Sequence, residues 1–243
     1  MVETKLTRDQ ITNAYRAERH ALGQLVESMN EFHWGKESKS EGWTNGQVAA
    51  HLTLGDGVPL RVAMSMLFNG SINMGVEILQ EKWAAHGREY VLERIKKDEI
   101  TVSIHWGIGY WRLLGLSEII IHAEDIRRSI DMPRARPPSP PLTNAILAGM
   151  GSRLREIGQA GLVSIGSNDD DARVYELNGK GGVKRQEEVE ETPVKIIGPP
   201  LEQILRFSGR EAQLRVEGEG ELADAARTWA ESKSDSARLF YWK

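Results

Sequence analysis

Leu113-Leu114-Gly115-Leu116-Ser117-Glu118-Ile119-Ile120-Ile121-His122 is among the most apolar stretches of the chain, yet it holds a glutamate and a histidine four residues apart. Helical pattern extends this segment from about 109 to 130. On a helix, residues four apart lie one above the other, so the Glu118 carboxylate and the His122 imidazole project from one face. An ionised carboxylate among isoleucines needs compensation, and the usual remedies are an ion pair, a raised pKa or a metal. A divalent metal shared with His122 is the sharpest of these. An ordinary i,i+4 pair, or a core histidine satisfied locally, is the competing reading.

Working outward, residues 8 to 29 carry Ile11, Tyr15, Leu22, Leu25 and Val26 at helical spacing, which predicts an amphipathic first helix. Trp43-Thr44-Asn45-Gly46-Gln47 is a helix start, with Thr44 as N-cap and Gln47 placed to complete a capping box. The helix that follows carries Val48, His51, Leu52 and Gly55 on one face. Pro59 ends or kinks it, and Val62, Met66 and Leu67 continue a helical pattern beyond. A further helical segment is expected between about 74 and 97. Together with the segment around Glu118 these make four helices, an antiparallel bundle.

Asp131 to Pro141 contains five prolines in eleven residues, which opposes helix and favours a stiff, extended connection. The expected organisation is therefore α+β: a helical bundle over 1–135, a linker and fifth helix over 136–160, and a small α+β domain over 161–243. The fifth helix is expected over 142 to 159. Within the last segment Arg173–Leu177, Pro193–Ile197 and the alternating Ala212–Glu217 read as strands, and helices are expected around 199 to 207 and 221 to 231. Residues 164 to 171 and 178 to 191 are polar and glycine-rich and read as loops.

With 243 residues, 40% of them hydrophobic and 27% charged, the chain can build a substantial core. A net charge of −4 argues against a general nucleic-acid or anionic-membrane partner. No run approaches 18 apolar residues and the first residues lack the apolar segment of a signal peptide, so a cytoplasmic location is expected. Zero cysteines exclude disulfides, thiolate metal sites and a cysteine nucleophile; any thiol chemistry must use a thiol from outside.

At 100° per residue, Glu118, His122 and Asp125 fall within roughly 60° of one another, so one helix face carries three potential ligands. Glu124, Arg127 and Arg128 are spaced for surface ion pairs and read as the solvated end of the helix. A third ligand from another helix is best supplied by His51, which shares an apolar face with Val48 and Leu52; taken alone, His51 also suits a core histidine. His20, His33, His86 and His105 have less specific settings, although His105 beside Trp106 could line the same cavity. Two histidines and a glutamate form a familiar set for catalytic zinc, and suit other divalent metals, leaving a position for water or substrate. The tryptophans, including Trp43, Trp83, Trp106 and Trp111, read mostly as core anchors, with Trp106 and Trp111 as candidate walls of an apolar pocket.

Gly42-Trp43-Thr44 with Val48 and His51-Leu52, followed by Glu118, His122 and Asp125-Ile126-Arg127, resembles the mycothiol-dependent maleylpyruvate isomerase family of DinB-like proteins. The later segment is similar to that family's C-terminal domain: a strand ending near Gly198, Leu201, Ile204 and Leu205 leading to Ser208-Gly209-Arg210, then Leu214–Gly218. Between about 59 and 110 little of the resemblance remains. It implies a DinB-like four-helix bundle with zinc ligands at His51, Glu118 and His122. It also implies use of mycothiol or another low-molecular-weight thiol on a small electrophile, as S-transferase or thiol-assisted isomerase. Arg210 is then the candidate to bind a substrate carboxylate, against the alternative of a surface or interdomain arginine. Asp125 is a candidate helper or acceptor for His122, against a helix-end ion pair. A metal-dependent hydrolase and a non-catalytic small-ligand-binding protein are the rival readings. A monomer and a homodimer both fit.

Overall fold

Thr7 opens the first helix through a complete capping box: its hydroxyl accepts from the Gln10 N–H, and the Gln10 side chain accepts from the Thr7 N–H. The computed structural model describes residues 6–53, 81–97, 109–168, 170–186 and 192–232, apart from the side chains of 109–112 and 114. The chain divides into two compact units, Leu6–Ala135 and the residues from Arg136 onward.

In the first unit, α1 (Arg8–Ser28) buries Ile11, Tyr15, Leu22, Leu25 and Val26. A one-turn helix α2 (Glu31–Gly35) follows, then α3 (Asn45–His51), α4 (Arg88–Lys96) and α5 (Gly109–Ser129). Helix α1 packs on α4 and α5, and α3 packs on the same two helices. Helix α5 is buried on every side between Ile119 and Arg127, which explains why its composition shows no polar stripe. Arg19, almost wholly buried, donates from Nε and Nη2 to the Ile95 and Arg94 carbonyls at 2.8 and 2.7 Å, supplying partners for the last turn of α4.

Two expectations are corrected by this unit. The helix expected over 74 to 97 is interrupted within its described part: residues 81–84 are helical, and Gly87, at φ 87°, starts α4 anew. Residues 74–80, like the continuation through Pro59 and Met66, lie outside the described residues. Glu124 and Arg127 are each only 6% exposed, so the far end of α5 is not a solvated face. The Glu124–Arg128 ion pair expected there does form, at 3.2 Å, and Lys39 of the preceding loop donates its N–H to the Asp125 carbonyl, covering that side. Nearby, Arg134 donates to both carboxylate oxygens of Glu18 at 2.5 Å.

The second unit begins with α6 (Pro140–Met150), whose first turn tolerates its prolines because those positions need no N–H donor. It passes into a 3₁₀ helix over Gly151–Ile157 rather than continuing as α-helix to 159. A five-stranded sheet follows, in the order β3-β2-β1-β4-β5. Its strands are β1 (Ala160–Gly166), β2 (Arg173–Asn178), β3 (Val183–Gln186), β4 (Val194–Ile197) and β5 (Arg215–Glu217). Only β1 and β4 run parallel, with Val163 opposite Val194; the other pairs are antiparallel. Strands β1 and β3 replace expected loop or unassigned chain, because their glycines and charges mask the period-2 signal that pairing with β2 makes usable. Of the alternating run from Ala212, only the last part pairs. Helix α7 (Pro200–Phe207) lies against α6, and α8 (Glu221–Glu231) packs on β5 and the 3₁₀ helix. Among the described residues, no helix is long and apolar enough to cross a membrane.

Candidate metal centre

His51 is the last residue of α3 and sits where it does because Thr44 caps that helix: the Thr44 hydroxyl accepts from Gln47 N–H at 3.2 Å, and Gln47 Oε1 accepts from Thr44 N–H at 2.8 Å. The loop before the cap is tightly fixed. Ser38 N–H donates to the Trp43 carbonyl, Trp43 N–H to the Ser40 carbonyl, and Glu37 bridges to Thr44. Asn45, fully buried, donates from its side chain to the His33 carbonyl and accepts from the Ser129 hydroxyl at 2.8 Å, tying the start of α3 to the end of α5.

These constraints bring His51 to the Glu118 and His122 face of α5. One ligand-type atom from each of His51, Glu118 and His122 lies within 4.8 Å of the others. Glu118 Oε2 is 3.6 Å from His51 Nε2 and 3.3 Å from His122 Nε2. The two imidazoles meet edge to face, with centroids 5.2 Å apart. On the far side of His122, Nδ1 lies 3.0 Å from Oδ2 of Asp125, which is 1% exposed. A carboxylate only accepts, so Nδ1 carries a proton, and Nε2, on the Glu118 side, is the nitrogen left to ligate a metal.

With His122 Nε2 3.3 Å from the Glu118 carboxylate, a cation between them suits the pair: a second proton, or a metal. The donor set fits a metal. Two ligands about 2 Å from a shared tetrahedral ion are roughly 3.3 Å apart, near the separations found here, and the Asp125–His122 pair is the kind of support that metal-ligating histidines usually have. Burial of His51 disfavours its charged form more than Glu118 favours it, so its pKa falls below the ordinary histidine value. Burial acts to raise the Glu118 pKa, but hydrogen bonds and charge from His122 and His51 outweigh it and hold the carboxyl well below the usual range. A neutral imidazole and an ionised carboxylate are the ligand-ready forms.

Trp43 also belongs to this site. Its ring lies nearly parallel to that of His122 (19°, centroids 6.2 Å apart) and tilts against His51 at 5.2 Å. The sequence reading made Trp43 a core anchor; the signal that it is more is its place immediately before the cap of the helix that carries His51. Arg210 lies in the second unit. It follows α7 in a Schellman turn, where Gly209 (φ 82°) donates to the Arg206 carbonyl and Arg210 N–H to the Leu205 carbonyl. Its guanidinium donates to the Ser208 carbonyl at 2.9 Å. His20 lies beside Gln24, His33 beside Phe32 and His86 beside Tyr90, none of them in the cluster. Trp83 is buried under the Arg94 guanidinium. His105 and Trp106, and the side chain of Trp111, lie outside the described residues.

Fold and site together define a two-unit α+β protein with a His/Glu/His candidate metal centre in its helical unit. Among solved structures it is similar to the mycothiol-dependent maleylpyruvate isomerase, with TM-score 0.52 and 13% identity, covering 90% of this chain and 97% of that one. A histidine-to-alanine mutant of that isomerase aligns over the same shares with TM-score 0.53 and 12% identity. At such identities the likeness is one of fold, and at that level the expected resemblance holds. No protein-family model matches the chain, and no curated protein sequence matches it significantly.

Proposed function

We propose that this protein is a metal-dependent enzyme that uses a low-molecular-weight thiol, with mycothiol the first candidate, on a small electrophilic substrate. The observation that carries this reading is the convergence of His51, Glu118 and His122, braced by Asp125, on a fold shared with a mycothiol-dependent isomerase. Zinc is the first-choice ion, held by those three side chains. A divalent ion there would lower the pKa of a thiol in its remaining position below the ordinary value of about 8.5, favouring the nucleophilic thiolate near neutrality.

The chain's own residues have separate tasks in this proposal. Glu118 contributes negative charge, Asp125 keeps the His122 proton on Nδ1, and Arg210 is the candidate for binding a substrate carboxylate. The chemistry is thiol addition to an electrophilic carbon. Retention of the adduct makes the enzyme an S-transferase; rotation and elimination make it an isomerase. We read residues 1–135 as a DinB-like metal-binding bundle, residues 161–243 as an α+β C-terminal domain of the maleylpyruvate isomerase type, and the cytoplasm as the place of action. The absence of cysteine is in keeping with a borrowed thiol.

Zinc content of protein purified without chelator tests the metal, with occupancy expected near one ion per chain and lost in His51→Ala and Glu118→Ala. Full occupancy in both variants overturns the ligand set. Thiol dependence is tested with an activated alkene and mycothiol: product should form only when both are present. Equal turnover without thiol would point instead to activated water and a hydrolase.

A further inference from the structure

Taking the metal reading above as its premise, we infer that Trp43 is a positioning residue that holds the His51 and His122 imidazoles in their ligand orientation and closes one side of the centre to water. Two imidazoles on different helices need something to set their mutual angle. Asp125 restrains His122 through Nδ1, whereas the buried Nδ1 of His51 has no hydrogen-bond partner among the described residues. Beyond Glu118 at its Nε2, His51 is restrained by the indole, which lies beside both rings, at 5.2 and 6.2 Å between centroids.

The Trp43 backbone that carries the indole is fixed from three directions. Its own N–H and carbonyl are hydrogen-bonded within the loop, Gly42 at φ 79° makes the turn before it, and Thr44 after it caps α3. Trp43 is half-buried, so it forms part of the wall of the site rather than of the core. An electron-rich indole stacked on His122 also favours that imidazole when a cation draws charge from its ring. Phenylalanine keeps a face for both histidines; leucine keeps apolar bulk but no flat surface to set ring angles.

The test is Co²⁺ affinity, measured by competition with a chromophoric chelator, in wild type, Trp43→Phe and Trp43→Leu, with helix content and Tm recorded for each. Trp43→Leu should bind at least about tenfold more weakly, the loss typical of removing a support for a metal-ligating histidine, and Trp43→Phe should stay within a few fold. Wild-type affinity in a folded Trp43→Leu overturns the inference. Co²⁺ quenching of tryptophan fluorescence in wild type, compared with Trp43→Phe, is the second readout, and it does not need the leucine variant to fold. Most of the quenching should disappear in Trp43→Phe, and an unchanged quench overturns the placement of Trp43 against the centre. Failure of the wild type to bind Co²⁺ would overturn the metal reading, and this inference with it.

Discussion

Glu118 and Asp125 both lie on α5 and both serve histidines, but they serve them differently. Glu118 shares a space with two Nε2 atoms, while Asp125 holds the other nitrogen of one ring. Asp125→Asn should therefore retain the ligand set and still lose roughly 10- to 100-fold in zinc affinity, because an amide can present either a donor or an acceptor to Nδ1. Competition with a chelator of known affinity checks this. The same residues set an acid dependence. Because the folded-state pKa of Glu118 is depressed, its contribution to stability is present above the unfolded carboxyl value and is lost as pH falls through the folded one. Because that of His51 is also lowered, the unfolded chain takes up its proton first, and stability falls as pH drops through the ordinary histidine range. Both signs agree. The Tm of metal-free protein should decline from pH 7 toward pH 4, and the slope between pH 7 and 5.5 should flatten in His51→Phe. At this scale Glu118, His122 and Asp125 were legible in advance because 3.6 residues per turn aligns them on one helix. His51 is named as the third donor from its apolar helix face and the family resemblance rather than from spacing, since its approach to Glu118 depends on a loop and two helix ends.

Between helices, stability rests on a few groups that close backbone valences or fill tight contacts. Arg19→Met should leave two carbonyls in the last turn of α4 without their donor and cost about 2–3 kcal/mol, read by denaturant unfolding of the metal-free protein. Gly46 is another such point: a Cβ there would sit 2.5 Å from Trp34 Cε2, so Gly46→Ala should cost about 1–3 kcal/mol through overpacking, on the same measurement. Helix starts were the readable part of this scale. Thr7 with Gln10 and Thr44 with Gln47 are local chemistry, and both capping boxes form. Arg19 could not be read, because its partners are 75 and 76 residues away.

For the whole molecule, the contact pattern separates a helical unit from one with its own sheet and its own core, which includes Val163, Ile165, Tyr175, Ile196, Leu205 and Phe207. A fragment beginning at Arg136 is expected to keep β-sheet circular dichroism and to unfold cooperatively; a chain without either signal would show that this core needs the other unit. Metal should stabilise only the state in which α3 and α5 are packed. Saturation at about 100 times Kd should add about 2.7 kcal/mol to the first unit, visible as a rise in its unfolding transition and none in that of the isolated fragment.

By itself the sequence determined what short-range geometry controls: the span of α1 and α5, the capped start of α3, the α+β class, the absence of any internal thiol, and the three acidic or imidazole groups on one face of α5. Tertiary structure alone decided what depends on distant chain. It paired β1 with β4 and drew β3 into the sheet, buried the charged end of α5, and set Trp43 against both histidines. The physical reason is that helix periodicity and capping are local, whereas strand register, charge burial and ligand convergence are properties of surfaces that exist only once the helices and strands have packed.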